Sequence, residues 1–223
     1  MCGLAGFKTA EKKNISYDRI LQSMGRQISH RGPDGDGIFS IPADGIGLAH
    51  QRLSILDLSE AGSQPMESKN GNFIIAYNGE IYNHLDIRAL LEKKLDHGIQ
   101  WKGHSDTETL LAAFEVWGIQ ETLNKCVGMF AMSVWDRSCS KLTLARDRLG
   151  EKPLYYGWVN NSFVFASELK AIKVFPDFNN PIDRDALASY LQYTYVPAPM
   201  SIYKNIFKLL PGHLLEIDKH NES

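Results

Sequence analysis

Met1-Cys2-Gly3-Leu4-Ala5-Gly6-Phe7-Lys8-Thr9 opens the chain and reads as a short strand with a cysteine at its head. Trimming of Met1 by an aminopeptidase is expected when residue 2 is this small. Cys2 would then carry a thiol and a free α-amine, with reference pKa values of about 8.5 and about 7.7–8.0. Such a residue holds a nucleophile and its general base together, and no histidine is needed. A small buried apolar cysteine at the start of an edge strand is the plainer reading. Other residues have to decide between them.

Outward from this strand, Tyr17, Ile20, Leu21, Met24 and Ile28 follow helical spacing, which predicts an amphipathic helix over 16–29 behind an N-cap Ser16. His30 to Gly37 is punctuated by glycine and proline, and so is neither helix nor strand. Strand patterns follow at Gly37–Ile41, Ile46–His50 and Phe73–Tyr77. The middle is helical: His84 to Leu95, then a helix opened by the capping-box sequence Ser105-Asp106-Thr107-Glu108, then Gln120 to Cys126. Strands return at Met129–Trp135, Lys141–Arg146, Pro153–Val159 and Phe163–Ala166, and a short helix closes the block at 167–174. Strands, helices and strands in that order predict an α+β protein of two packed antiparallel sheets with helices outside. Residues 1–175 form the predicted domain. Residues 176–223, with a helix near 183–193 and a lone strand-like His213–Ile217, read as a linker and the truncated start of a second domain.

The 223 residues carry 24 Lys+Arg against 26 Asp+Glu, a net charge of −2. That balance supplies no attraction to nucleic acid or to an anionic membrane, and the pairs Lys12-Lys13 and Lys93-Lys94 read as solvated faces. No apolar run approaches the roughly 18 residues of a membrane span. Position 2 holds Cys rather than the Gly of a myristoylation signal. Three cysteines without a C-x-x-C spacing argue against a disulfide framework or zinc site. The expectation is a cytoplasmic protein.

A few polar residues could carry chemistry, each with a plainer alternative. Asn78-Gly79 is a hairpin signal with φ > 0 at both residues, yet an Asn amide beside a glycine N–H also supplies two neutral donors for an oxyanion. Asp106 either compensates a helix dipole or pairs with a substrate ammonium. Arg52 is either a surface arginine or a bidentate clamp on a carboxylate. Glu80 is either a solvated strand residue or a second acceptor for the ammonium. Asp34-Gly35-Asp36-Gly37 fails as a calcium loop, because Ile38 and Gly45 occupy ligand positions. The histidines have no metal-ligand spacing, and no phosphate-loop motif is present.

With these residues assembled, the chain closely resembles the glutaminase domain of glutamine-hydrolysing asparagine synthetase, an N-terminal-nucleophile (class II) glutamine amidotransferase. The segments that carry the resemblance are Met1-Cys2-Gly3-Leu4-Ala5-Gly6, His30-Arg31-Gly32-Pro33-Asp34-Gly35, His50-Gln51-Arg52-Leu53-Ser54-Ile55, Gln64-Pro65-Met66 and Tyr77-Asn78-Gly79-Glu80-Ile81-Tyr82-Asn83. Further matches are Ser105-Asp106-Thr107-Glu108, Ala145 through Tyr156, and Ser167 through Ile172. The resemblance implies a four-layer αββα sandwich in which Cys2 is the nucleophile and Asn78 and Gly79 form the oxyanion hole. It implies that Arg52 holds the glutamine carboxylate, with Glu80 and Asp106 receiving its ammonium. It also implies glutamine as substrate and a synthetase domain, in cis or in trans, as the ammonia acceptor. A homodimer is an open alternative. No cofactor is implied for this chain. ATP and Mg belong to the family's second domain, whose S-G-G-x-D-S loop is absent here, so the chain is expected to hydrolyse glutamine without making asparagine. Two alternatives are a non-catalytic glutamine-binding or interaction domain, if Met1 is retained, and an amidotransferase serving another acceptor.

Overall fold

The computed structural model describes residues 1–10, 16–95 and 98–218; Lys12-Lys13 lies outside them. In chain order the strands are β1 (Gly3–Thr9), β2 (Gly35–Ile41), β3 (Ile46–Arg52), β4 (Met66–Glu67), β5 (Phe73–Ile81) and β6 (Gly128–Asp136). They continue with β7 (Lys141–Arg146), β8 (Tyr155–Val159), β9 (Ser162–Ala166), β10 (Ile206–Lys208) and β11 (Leu214–Ile217). The helices are α1 (Tyr17–Gln27), α2 (His84–Lys94), α3 (Asp106–Trp117), α4 (Ile119–Lys125), α5 (Leu169–Lys173) and α6 (Arg184–Tyr193). None of the described helices is long and apolar enough to cross a membrane.

Two antiparallel sheets form, in the orders β10-β8-β9-β1-β3-β2 and β11-β7-β6-β5-β4. Three apolar layers follow from side-chain alternation along the strands. Leu4, Leu48, Ile74, Ala76, Trp135, Leu144 and Phe165 meet between the sheets. Ala5 and Phe7, on the other face of β1, pack with Leu21 and Met24 of α1 and Ile172 of α5. Ile75 and Tyr77 of β5 pack with Leu91 of α2 and Leu110 and Phe114 of α3. The expected αββα sandwich is therefore what the chain builds. β1 is buried at all seven positions, as a strand covered on both faces must be.

Two expectations change. Asn78-Gly79 is not a hairpin turn: both residues lie inside β5, opposite Ala131 and Phe130 of β6, and neither has a positive φ. Nine paired residues override the local turn preference. Glycine at 79 serves a close strand approach instead, since a Cβ there would strike Met129 O and lie 2.7 Å from the Phe130 Cα. The tail also differs from a linker. β10 pairs with β8 and β11 with β7, so residues 206–217 lengthen both sheets, and the hydrogen bonding continues past a boundary at 175. Helix α6 is mostly exposed, with Ala186 its one buried residue and Leu187, Tyr190, Leu191 and Tyr193 exposed.

The connection from β7 to β8 is fastened by one carboxylate. Asp147 Oδ1 accepts from the N–H groups of Leu149 and Glu151, both at 3.0 Å, and Oδ2 accepts from Lys152 N–H at 3.0 Å and Phe130 N–H at 3.2 Å. Burial opposes ionisation of Asp147, but these four donors outweigh it and hold the carboxyl below its ordinary value. A depressed native pKa contributes stability that is complete above the unfolded value, near 3.9, and is lost as pH falls through the native one. Asp147→Asn turns an NH2 group toward backbone donors, and is expected to cost about 1–3 kcal/mol at neutral pH. It should also flatten the acid limb of stability, which urea titrations at pH 3 and pH 7 would read. Equal losses at the two pH values would overturn this account.

Candidate active site

β1 delivers Cys2 to the end of the first sheet, next to Arg52 at the end of β3. Leu53 N–H donates to Cys2 Sγ at 3.3 Å, and Arg31 Nε donates to the Cys2 carbonyl at 2.9 Å. Two residues on, Leu4 N–H donates to Ser167 Oγ at 3.0 Å, and Ser167 N–H to Leu4 O at 2.8 Å. Arg31 is held in turn by Glu168, whose Oε1 lies 3.0 Å from its guanidinium, while His30 and Lys170 share the same carboxylate. Burial pushes the Cys2 thiol pKa up; Leu53 N–H, the N-terminal charge and Arg52 pull it down only in part. The cleft therefore favours the thiol over the thiolate. No histidine is among the described residues lining the cleft. His50 is fully buried with Nε2 on Tyr77 O at 2.9 Å, and burial drags its pKa down to about 4.

β5 supplies the facing wall. Asn78 continues the row of Ile74 and Ala76 that faces between the sheets, is 1% exposed, and its Nδ2 has no partner among the described residues. A buried amide donor without an acceptor is costly, about 1–3 kcal/mol, and such groups call for an explanation. The direction of the Gly79 N–H follows from register. Phe130, opposite it, spends its N–H on Asp147 Oδ2 and its C=O on Asp147 N–H. Gly79 and Phe130 thus form a non-hydrogen-bonded pair, and the N–H of Gly79 points away from β6. Tyr77 and Ile81 share its phase, and their N–H groups donate to Gln64 Oε1 at 2.7 Å and Asp106 Oδ2 at 2.8 Å. Between them, the Gly79 N–H faces the cleft.

Charge lies around this pair. Asp106 begins α3 behind Ser105, whose hydroxyl accepts from Glu108 N–H as the capping box requires. Asp106 is 4% exposed, and its Oδ2 also takes the Tyr77 hydroxyl at 2.7 Å. Burial raises its pKa, against Ile81 N–H and the Tyr77 hydroxyl, so the helix N-terminus does not set its ionisation by itself. An incoming cation would restore what burial takes away. Arg52 donates from NH2 to the Asp57 carbonyl. The Asp57 carboxylate takes the hydroxyl and N–H of Ser59 and the N–H of His104, which hold its pKa down to about 2. The loop after β3 is thereby tied to the entry of α3.

Cys2, Arg52, Asn78, Gly79, Glu80 and Asp106, the six residues singled out in the sequence, line one cleft of about 110 Å³. Met1 and Lys152 line it as well. Four residues carry geometry that the sequence reading left unassigned: Arg31, Ser167, Glu168 and Lys152. All four lie in segments that carry the family resemblance, but Arg31 meets Cys2 and Glu168, and Ser167 meets Leu4, across more than twenty residues of chain, so only the fold shows what they hold. Asp34, in the rejected calcium loop, accepts from Ser54 N–H at 2.8 Å and so ties the loop after β3 to the start of β2. Cys126 is buried, with burial pushing its thiol up to about 12, and takes no part in the cleft.

A family model described as a glutamine amidotransferase domain matches residues 1–223. A Methanocaldococcus jannaschii protein assigned as a glutamine-hydrolysing asparagine synthetase is 38% identical over 227 residues, covering 94% of this chain and 42% of the relative. Bacillus subtilis asparagine synthetase [glutamine-hydrolysing] 1 is 37% identical over 214 residues, covering 95% of this chain and 33% of the relative. The chain thus spans between a third and a little over two fifths of these curated relatives. Among solved structures, the glutamine phosphoribosylpyrophosphate amidotransferase of B. subtilis superposes with a TM-score of 0.70 at 19% identity, covering 98% of this chain and 48% of its own. At that identity the shared property is the fold. The chain belongs to the glutamine amidotransferase domain family.

Proposed function

We propose that this domain hydrolyses glutamine to glutamate and ammonia through a glutamyl thioester on Cys2, and that the ammonia serves an ATP-dependent amidation, asparagine synthesis from aspartate, on a synthetase domain in cis or in trans. The observation that carries the reading is the unpartnered Asn78 Nδ2 beside a Gly79 N–H facing the same cleft as the Cys2 thiol. Two neutral donors have a use there when a carbonyl oxygen becomes an oxyanion. The relatives named as glutamine-hydrolysing asparagine synthetases support the choice of substrate and acceptor.

In this reading Met1 is removed and the Cys2 α-amine takes the proton of the thiol as sulfur attacks the side-chain amide carbon. Asn78 Nδ2 and Gly79 N–H hold the oxyanion of the tetrahedral intermediate. The amine then gives its proton to the departing nitrogen as the C–N bond breaks, which leaves ammonia and the thioester. Water, deprotonated by the same amine, releases glutamate. Arg52 holds the substrate carboxylate, and Asp106 and Glu80 hold its ammonium. The charge pattern matches a free amino acid, with a cation for its acid end and two carboxylates for its amino end. We place the domain in the reducing cytoplasm, where an unpaired Cys2 thiol stays available.

Met1 offers a second reading. It lies in the cleft with its Sδ 3.3 Å from Lys152 Nζ, and a chain that keeps it has no amine on Cys2. That form would bind glutamine without turning it over. Intact mass distinguishes the forms, and a preparation that retains Met1 is expected to lose glutaminase activity while still binding glutamine in calorimetry.

Turnover is expected to vanish in Cys2→Ala, measured as glutamate release, and undiminished turnover would reject the thioester. Asn78→Ala should lower kcat by about 10²–10³ with a small change in KM; a change in KM alone would remove it from the oxyanion site. Arg52→Lys replaces a planar fork by a point charge, and should raise KM by about tenfold, ~1.4 kcal/mol. The rate should fall as pH drops through the amine's working pKa, whose reference lies near 8. A rate that stays flat from about pH 5 to 8 would exclude the amine as proton relay.

A further inference from the structure

Lys152 is the charged group at the cleft to which the mechanism gives no task. It is 6% exposed and lines the same space as Cys2. The tight connection fastened by Asp147 fixes its backbone on both sides: its N–H donates to Asp147 Oδ2 at 3.0 Å, and its C=O accepts from Arg146 Nε at 2.7 Å. Arg146 in turn grips the carbonyls of Gly150 and Leu209 at 2.5 Å. The backbone is thus fixed, and burial confines the side chain to the cleft. Its Nζ ends 3.3 Å from Met1 Sδ, a weak acceptor on the residue bonded to the Cys2 nitrogen. Among the described residues no Asp or Glu forms an ion pair with it.

The remaining charges at the cleft have answers. Arg52, at the end of β3, meets the substrate carboxylate in the proposed complex. Glu80 of β5 and Asp106 of α3 meet its ammonium. Asp57, on the loop after β3, spends its oxygens on Ser59 and His104. Arg31 lies against the Cys2 carbonyl and Glu168. In the proposed complex Lys152 is left as the charge that neither the described protein nor the substrate neutralises, and it lines the cleft beside Met1 and Cys2. A nearby like charge disfavours protonation of an amine, and an amine that is to accept a proton must be a free base at working pH.

We propose that Lys152 is a positioning residue of the proton relay: its ammonium, set against the mature N-terminus, keeps the Cys2 α-amine unprotonated near neutral pH, so that the amine can take the thiol proton. The role rests on the thioester reading above. It moves no further atom: the S–H proton passes to the α-amine as the S–C bond forms, and returns to the leaving nitrogen as the C–N bond breaks. Lys152 keeps its own protons throughout.

The experiment is a pH profile of glutamate release from about pH 5.5 to 9.5, on full chains shown by intact mass to lack Met1. Wild type, Lys152→Met and Lys152→Arg are compared, with the rate of Cys2 alkylation by iodoacetamide as a readout that needs no turnover. In Lys152→Met the acid limb of kcat/KM should move up by about one pH unit, which lowers activity about tenfold at pH values below both midpoints, ~1.4 kcal/mol, while KM stays within twofold. Lys152→Arg, which keeps the charge, should retain the wild-type midpoint. Lys152→Gln stands in if the Met variant does not fold, with the same shift expected. Coincident wild-type and Met profiles, an Arg variant that moves with Met, or a change confined to KM would overturn the role. A wild-type profile without an acid limb would reject the amine relay itself, a different failure from an unmoved limb in the Lys152 variants.

Discussion

Both edges of β1 are occupied, by β3 from Gly3↔Gln51 and by β9 from Ala5↔Ala166 onward, and the cleft depends on that pairing. A terminal residue is ordinarily the least ordered part of a chain. Here Arg31 Nε holds the Cys2 carbonyl, Leu53 N–H meets its sulfur and Ser167 closes on Leu4. The nucleophile's backbone is thereby held from two sides and its sulfur from a third, the kind of support that catalytic geometry needs. Every other component is measured from it: Arg52 by the β1–β3 register, and Asn78 and Gly79 by the packing of β5 across the inter-sheet core.

The electrostatics follow from the same burial. Removing water raises the thiol pKa and raises that of Asp106, so neither group is in its most reactive state when the cleft is empty. In the proposed complex a zwitterionic ligand would change this: its ammonium would compensate Asp106 and its carboxylate Arg52. The orphaned Asn78 amide would gain its acceptor as charge develops on the substrate oxygen, which is the differential binding of a transition state that catalysis requires.

Much of this was legible in the chain itself. The helical spacing of Tyr17 to Ile28, the capping box at Ser105 and the alternating strands are local signals, and they placed α1, α3 and most strands to within a few residues. The candidate residues Cys2, Arg52, Asn78, Gly79, Glu80 and Asp106 each had a plainer reading, and the family resemblance is what joined them into one site. What escaped depends on partners far along the chain. Asn78-Gly79 has the composition of a turn, and only nine pairs with β6 make it a strand. Met66-Glu67 and Ile206-Phe207-Lys208 are too short to show a period, so β4 and β10 exist by pairing alone. Arg31 and Lys152 look like surface charges until the fold shows a cysteine carbonyl under one and a cleft under the other.

The neighbours of β1 arrive at very different times. β3 begins about forty residues downstream, but β9 lies near residue 164, and most of the chain must be in place before the second edge can close. Pairings of such separation are slow steps in folding. Until β9 docks, Ser167 is absent from Leu4 and Glu168 does not brace Arg31 against the Cys2 carbonyl. The first residues of the chain thus owe their final anchorage to a strand drawn from its far part, and the nucleophile's place is settled late although its own strand is made first.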